Sequence, residues 1–238
     1  MKVVFAGPSL WGTPGEAGCA VDLRPPAAQG DVYAAVCVGA NVIGLIDGAY
    51  EQVAATWHKE ILFALAHGVQ VFGGASIGAL RAAECAAFGM IGVGEIYRAY
   101  AAGEIVDDAA VALLHGPAEL GYVPLTEALV NVTATLARAR DAGQIGADEE
   151  SRLQAAAAAM FFKERTWERI IAAAAFPAAR ATVLLRLCAA QAVNQKQRDA
   201  AEVLRRVQLA DDARLQPDQS WEFAHTAQFT QWVTRDHG

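Results

Sequence analysis

Residues 70–84, QVFGGASIGALRAAE, pass from an apolar run through a cluster of small residues into a helix-favouring run. Within them Gly74-Ala75-Ser76-Ile77-Gly78 has the G-x-S-x-G pattern of a nucleophile elbow, in which a strand turns sharply into a helix and lifts a serine hydroxyl out of the fold. Glycines suit such a turn because backbone and side chains come close together there and a Cβ at either glycine would crowd it. The N–H of Ile77 would then open the helix and face an oxyanion, aided by the positive end of the helix dipole. The competing description is a glycine-lined turn in which Ser76 only caps the helix.

Working outward, residues 1 to about 95 are rich in Gly and Val, with short apolar runs at Val3–Ala6, Val32–Val38, Ile43–Ile46 and Val69–Phe72 that end in Gly or Asp. Runs of this length without polar alternation suit strands covered on both faces, as in a parallel sheet flanked by helices. Past residue 125 the strand signals fade. Leu125, Leu129, Val132 and Leu136 recur at helical spacing and Gly143 follows as a stop. Further helices are expected near 148–162, 166–175, 179–190, 195–209 and 219–233. The predicted class is α/β: an open, mostly parallel sheet flanked by helices over residues 1 to about 120, then a mainly helical C-terminal half. As domains this gives an α/β core at 1–124 carrying the site, and a helical region at 125–238 packed on it.

At 238 residues with 54% hydrophobic and 19% charged side chains, the chain can bury a large core. Its net charge is −7 and Lys/Arg never form a run, which argues against a nucleic-acid partner. The N-terminus has one Lys and an apolar run of about four residues, too short for a secretory signal. No stretch reaches the roughly twenty apolar residues of a membrane span, so a cytoplasmic protein with no membrane partner is expected. Cys19, Cys37, Cys85 and Cys188 form no C-x-x-C pair and are expected as reduced thiols, with neither metal nor cofactor.

A serine needs a base, because an isolated hydroxyl is a weak nucleophile at neutral pH. None of His58, His67, His115, His225 and His237 sits with an acid in a spacing that announces a Ser-His-Asp order. In TWHKEIL, residues 56–62, His58, Lys59 and Glu60 interrupt an apolar, small-residue segment. With Thr56 as N-cap, Lys59 falls in the first turn of a helix near the strand ends, where desolvation and the helix dipole both disfavour an ammonium. That matters because a lysine of ordinary pKa, about 10.4, is neutral in only about one molecule in 2,500 at pH 7. Ser-Lys pairs on unrelated folds solve this by burying the amine. Lys59 can equally be a solvent-facing partner of an acid, and His58 is either a reserve base or a residue packed at a helix start.

Ligands of open parallel sheets bind beyond the carboxyl ends of the strands. The three clearest strands end in Gly7-Pro8-Ser9, Asp47-Gly48 and Gly73-Gly74, which together would line a site with backbone that admits a slender extended tail. Gly7 and Ser9 are candidates for a second oxyanion donor. Asp47 either orients Lys59 or a ligand N–H, or caps the next segment. Arg81 and Glu84 are expected as an ion pair one turn apart, with Arg81 alternatively steering an anionic substrate.

AGPS at 6–9, LIDGAYEQV at 45–53, WHKEIL at 57–62, GGASIGALRAAE at 73–84, GMIGVGEIYRAY at 89–100, DDAAVALLHGP at 107–117 and GYVPLTEALVNVTATL at 121–136 together resemble the TfuA-like proteins. The resemblance spans about the first 140 residues, and several motifs in one order are far more specific than G-x-S-x-G alone. It implies a partner of a YcaO-type enzyme in peptide-backbone thioamidation, serving peptide natural products or a methanogenesis enzyme. It further implies hydrolysis of the C-terminal thiocarboxylate of a ThiS-like sulfur carrier, with release of sulfide beside the YcaO enzyme and its peptide or protein substrate. The family's serine and lysine pair falls on Ser76 and Lys59. The alternatives are a patatin-like serine acyl hydrolase, which would need a roomy apolar cleft, and a non-catalytic adaptor that docks the YcaO enzyme and the carrier.

Overall fold

In a computed structural model that describes residues 1–13, 21–49, 53–218 and 220–236, the chain runs β1 (Lys2–Phe5), β2 (Asp22–Arg24), α1 (Asp31–Cys37), β3 (Val42–Leu45), α2 (His58–Ala66), β4 (Gln70–Gly74), α3 (Ile77–Cys85), β5 (Ile91–Val93) and α4 (Gly94–Ala101). The helical half follows as α5 (Leu129–Asp141), α6 (Ala147–Ala158), α7 (Trp167–Ala173), α8 (Ala178–Ala190), α9 (Gln195–Leu209) and α10 (Ala227–Asp236). Cys19 and His237 lie outside the described residues. The five strands pair in parallel in the order β2-β1-β3-β4-β5, one of the two common doubly wound arrangements, and the expected α/β class is what the chain adopts.

The two faces of the sheet are covered from different parts of the sequence. Val3, Phe5, Ile43, Leu45 and Val71 pack against α1, α2 and α3. Val4, Val42 and Phe72 point the other way and pack on Ala200, Val203 and Val207 of α9. Two glycines make that second contact possible. A Cβ on Gly44 would lie 2.9 Å from Val207, and one on Gly74 would lie 2.6 Å from Val203, so α9 can come this close only over bare backbone. Helices α5 to α8 bury Leu136, Leu153, Ile170 and Leu184 in a cluster of their own. The helical half is therefore not one block: α9 is a layer of the α/β sandwich.

One expected strand is a helix. Val32–Val38 lies mostly within α1, because Val32, Ala35 and Val36 are buried at helical rather than alternating spacing. The chain turns helical there over the buried carboxylate of Glu60, which accepts hydrogen bonds from the N–H groups of Gly30, Val32 and Tyr33. The same carboxylate accepts from Trp57 N–H at 2.7 Å, so one side chain caps the first turns of both α1 and α2. Burial pushes Glu60 above the usual carboxylate range, while these backbone donors pull it back. Strands β2 and β5 were not expected, and at three residues each they are too short to show alternation.

Helix α5 starts at Leu129 rather than at Leu125. Thr126 accepts from Leu114 N–H and Glu127 N–H donates to Arg165, which holds the chain extended up to that point. Helix α9 has the expected bounds, whereas α10 begins later than expected, where the Thr226 hydroxyl accepts from Phe229 N–H. Phe229 and Trp232 of α10 pack edge-on against Tyr33, and Trp57 meets Trp232 in the same way. No helix among the described residues is long and apolar enough to cross a membrane.

Replacing Glu60 by Ala strands four N–H groups at two helix starts, those of Gly30 and Val32 buried and those of Tyr33 and Trp57 partly buried. Glu60→Ala should lower stability by about 4 kcal/mol, read as a fall in the urea unfolding midpoint.

Candidate active site

The turn after β4 is built as an elbow. Ala75, fully buried, adopts φ 66°, so the left-handed residue of the turn stands one position before the serine, at a cost of about 1–3 kcal/mol. Ser76 itself has φ −127° and ψ −130° and directly precedes α3. Gly78 is what lets α3 begin here: its N–H donates to Ile46 O, and a Cβ would lie 1.8 Å from Leu45 O. Gly73 is as tight, with its Cβ position 2.3 Å from Gly78 O. Ser76 is buried, makes no side-chain cap bond, and has no hydroxyl partner among the described residues. The Ile77 N–H likewise has no backbone partner among them, while its neighbours on both sides are bonded.

Ser76 and Ile77 face a cavity of about 400 Å³ at the carboxyl ends of β1, β3 and β4. Asp47 and Gly48 form the adjoining wall, and a Cβ on Gly48 would lie 2.5 Å from Ile77 Cγ2, which shows how closely the two loops abut. Val111, His115 and Tyr122 close the cavity from the long segment between α4 and α5, and Phe162 and Lys196 close it from the helical half. This is the switch point of the strand order, where β1 is flanked by β2 and β3, and it is where doubly wound sheets place ligands.

Asp47 is 2% exposed and its carboxylate is occupied. Oδ2 accepts from the N–H groups of Gly7 at 2.9 Å and Ser9 at 3.0 Å, and Oδ1 accepts from the Ser9 hydroxyl at 2.7 Å. Gly7 and Ser9 are therefore not free oxyanion donors, because their protons are committed to a buried anion. Asp47 was expected to orient Lys59 or a ligand N–H, or to cap the segment that follows it; its carboxylate instead holds the loop after β1, and Lys59 is engaged elsewhere.

Lys59 does occupy the first turn of α2, although Trp57 rather than Thr56 is the residue before the helix. Its ammonium donates to Ala224 O at 2.7 Å and lies 4.7 Å from the centre of the Phe223 ring. It is not among the described residues that line the cavity, and neither are His58 and Arg81. His58 Nε2 meets Glu84 at 2.8 Å, and Arg81 meets the same carboxylate at 2.6 Å while donating to Thr56 O at 3.0 Å. The expected Arg81–Glu84 ion pair is present, with His58 as its third member. Of the residues proposed from sequence, Ser76, Ile77, Asp47 and Gly48 converge on the cavity, while Gly73 and Gly74 support the turn beneath it.

Two lysines line the cavity, the exposed Lys163 and the buried Lys196 in the first turn of α9. Lys196 Nζ donates to Val111 O at 2.6 Å and lies 4.0 Å from Asp47 Oδ1, with the side chain 3% exposed. Burial pushes Lys196 below the ordinary lysine range, and the Asp47 carboxylate opposes that shift. The signal was present in the sequence: Lys196 and Asp199 fall on the same helical stripe as Ala200, Val203 and Val207, so two charged residues sit on a face that is otherwise apolar. Asp199 explains itself by accepting from Ile96 N–H at the start of α4. No group of three or more His, Cys, Asp or Glu side chains suited to a metal occurs among the described residues.

A doubly wound α/β chain with a serine at a strand-to-helix elbow, opening on a cavity at the strand ends, is the class that fold and site define. The sequence model of the TfuA-like proteins matches residues 47–166, just over half of the chain, and the chain belongs to that family. Membership suggests an association with YcaO-type thioamidation. No curated protein matches the chain.

Asp47→Ala leaves three buried donors without an acceptor and Lys196 without its counter-charge. It should cost about 4 kcal/mol, with Asp47→Asn costing less because the amide oxygen still accepts; urea unfolding of the two variants checks the order.

Proposed function

We propose that the chain releases sulfide from the C-terminal thiocarboxylate of a ThiS-like carrier protein, supplying a YcaO-type enzyme, with Ser76 as nucleophile and a lysine amine as its base. The observation that carries this reading is the Ser76 hydroxyl, without a side-chain partner among the described residues, beside the similarly unengaged Ile77 N–H on the wall of a cavity in a TfuA-like chain.

The chemistry suits that arrangement. A thiocarboxylate is a poor electrophile because its negative charge is shared by oxygen and sulfur, so attack on its carbon needs a donor waiting where the oxyanion grows. The Ile77 N–H, at the positive end of α3, is such a donor. Ser76 Oγ bonds to the carbon as its proton passes to the base; the base returns that proton to the sulfur as the C–S bond breaks, and hydrosulfide leaves. Water, activated by the same base, cleaves the acyl-serine to carboxylate and restores the hydroxyl. The net change is thiocarboxylate plus water giving carboxylate, hydrosulfide and a proton. A cavity of about 400 Å³ lies at the small end of the range of about 300–1,000 Å³ usual for ligand sites. That volume fits the last residues of an extended glycine-rich tail better than a lipid chain, which counts against the patatin-like alternative.

A docking role without chemistry is the second reading. It is favoured by Val53 and Leu114, apolar side chains 53% and 38% exposed on the cavity wall, which suit contact with another protein. The two readings separate on one variant. With a thiocarboxylated carrier as substrate and released sulfide as readout, Ser76→Ala should lose at least about 100-fold in rate while keeping the wild-type circular dichroism spectrum. Release at the wild-type rate would leave only docking.

A further inference from the structure

We infer that Tyr122 and His115, carried to the cavity by a hairpin between α4 and α5, read the last peptide unit of the substrate: Tyr122 donates to its C=O and His115 accepts from its N–H. The site then takes a thiocarboxylate preceded by an amide and discriminates against a simple alkyl thioacid. This rests on the reading of Ser76 as the nucleophile that attacks a C-terminal thiocarboxylate.

The chain from Leu114 to Thr126 folds back on itself. Leu114 O accepts from Leu125 N–H at 2.8 Å, Gly116 N–H donates to Val123 O at 2.8 Å, and His115 faces Pro124 in an antiparallel bridge. The Thr126 hydroxyl closes the base of the hairpin by accepting from Leu114 N–H. Near its tip Gly121 and Tyr122 both stand in the left-handed region, at φ 64° and 59°. Glycine takes that conformation freely and a bulky tyrosine does not, so the strain at residue 122 points to a use for the ring. The ring rests against the loop after β1, where a Cβ on Gly7 would lie 3.5 Å from Tyr122 Cγ. It meets the His115 ring edge-on, with centroids 5.6 Å apart, and both residues line the cavity that Ser76 faces.

The polar atoms on this wall are complementary to an amide. His115 Nδ1 lies 2.7 Å from Gly116 O; a carbonyl oxygen only accepts, so Nδ1 carries the proton and Nε2 of the neutral ring is an acceptor. The Tyr122 hydroxyl makes no hydrogen bond to a described residue. Pro8 and Pro26 also line the cavity, and having no N–H they supply no backbone donor to compete with it. The elbow side offers the Ser76 hydroxyl and the Ile77 N–H to the reacting carbon and its oxygen. The hairpin side adds one donor and one acceptor, the set that a peptide C=O and N–H require. An alkyl thioacid of the same length would displace water from Tyr122 and His115 without replacing its hydrogen bonds, which is how a polar site rejects an apolar analogue.

Three synthetic thiocarboxylates of equal chain length separate the two contacts: that of N-acetylglycine, its analogue with a methylene in place of the N–H, and the alkyl analogue with methylenes in place of both N–H and C=O. Released sulfide gives kcat/KM for each. In the wild type each replacement should lower kcat/KM about tenfold. In Tyr122→Phe the step from the second compound to the third should vanish while the first step persists, and in His115→Phe the reverse. A variant that had merely lost structure would slow all three compounds alike and keep both steps; thermal unfolding shows each variant folded. Ligand-observed NMR titrations of the same three compounds as carboxylates read binding without turnover and should rank them in the same order. Steps of wild-type size in both variants, or a wild type indifferent to the replacements, would overturn the inference and leave sulfide release standing. Ranked binding that depends on Tyr122 and His115 in a protein that releases no sulfide would support peptide recognition and remove the hydrolysis. Neither release nor ranked binding would remove both.

Discussion

The buried carboxylate of Asp47 is the interaction on which the site depends. It sits where β3 ends, holds the loop after β1 through three donors, and faces the ammonium of a residue some 150 positions away in sequence. A carboxylate removed from water is costly unless its oxygens are bonded, and here the backbone of Gly7 and Ser9 together with the Ser9 hydroxyl supplies those bonds. The charge left over is what makes a buried lysine tolerable opposite it. Loop position, cavity floor and amine position are thus set by one group, and a change at any of them is felt by the others.

The same device recurs on both sides of the sheet. Glu60 joins the starts of α1 and α2 on one face, and Asp199 ties α9 to the start of α4 on the other. In each case a buried acid accepts N–H groups that a helix start leaves without internal partners, so the anion is stabilised by two elements at once. Gly44 and Gly74 then fix how near α9 lies to the sheet, because any Cβ there would meet Val207 or Val203. Packing on one face therefore decides where the side chain of Lys196 enters the cavity.

How much of this was legible in the sequence follows from the range of the signals. β1, β3, β4 and the bounds of α9 were readable because each is a local pattern: a short β-branched run, or a sustained amphipathic stripe. Val32–Val38 was misread since a run of Val and Ala serves a buried strand and a buried helix equally, and the group that decides between them, Glu60, lies 28 residues from Val32. The elbow at Ser76 was legible for the same local reason as the strands. The residues that share its cavity from the helical half were not. Lys59 was correctly placed in a first helical turn, yet α2 packs on the face of the sheet opposite to α9, and the direction of its side chain is set by Phe223 and Ala224, far along the chain. Lys196 was visible only as an anomaly, a charge on the apolar stripe of α9.

A cavity walled by residues 47–49, 76–77, 108, 111–115, 122, 162–163 and 196, among others, has chemical groups from both halves of the chain, so neither half alone makes it. The family match ends at residue 166, short of α9, while the Ser76 elbow lies well within it. A serine at a strand-to-helix turn is a conditional nucleophile: the turn presents the hydroxyl, and the helix start supplies a donor, but proton removal must come from elsewhere. In this molecule the first turn of α2 and the His58–Glu84–Arg81 cluster are spent on surface contacts, while His115 of the same half lines the cavity. The helix that seals the second face of the sheet is then also the one that carries Lys196 to the cavity at the strand ends, so the packing of that face sets part of the cavity's lining.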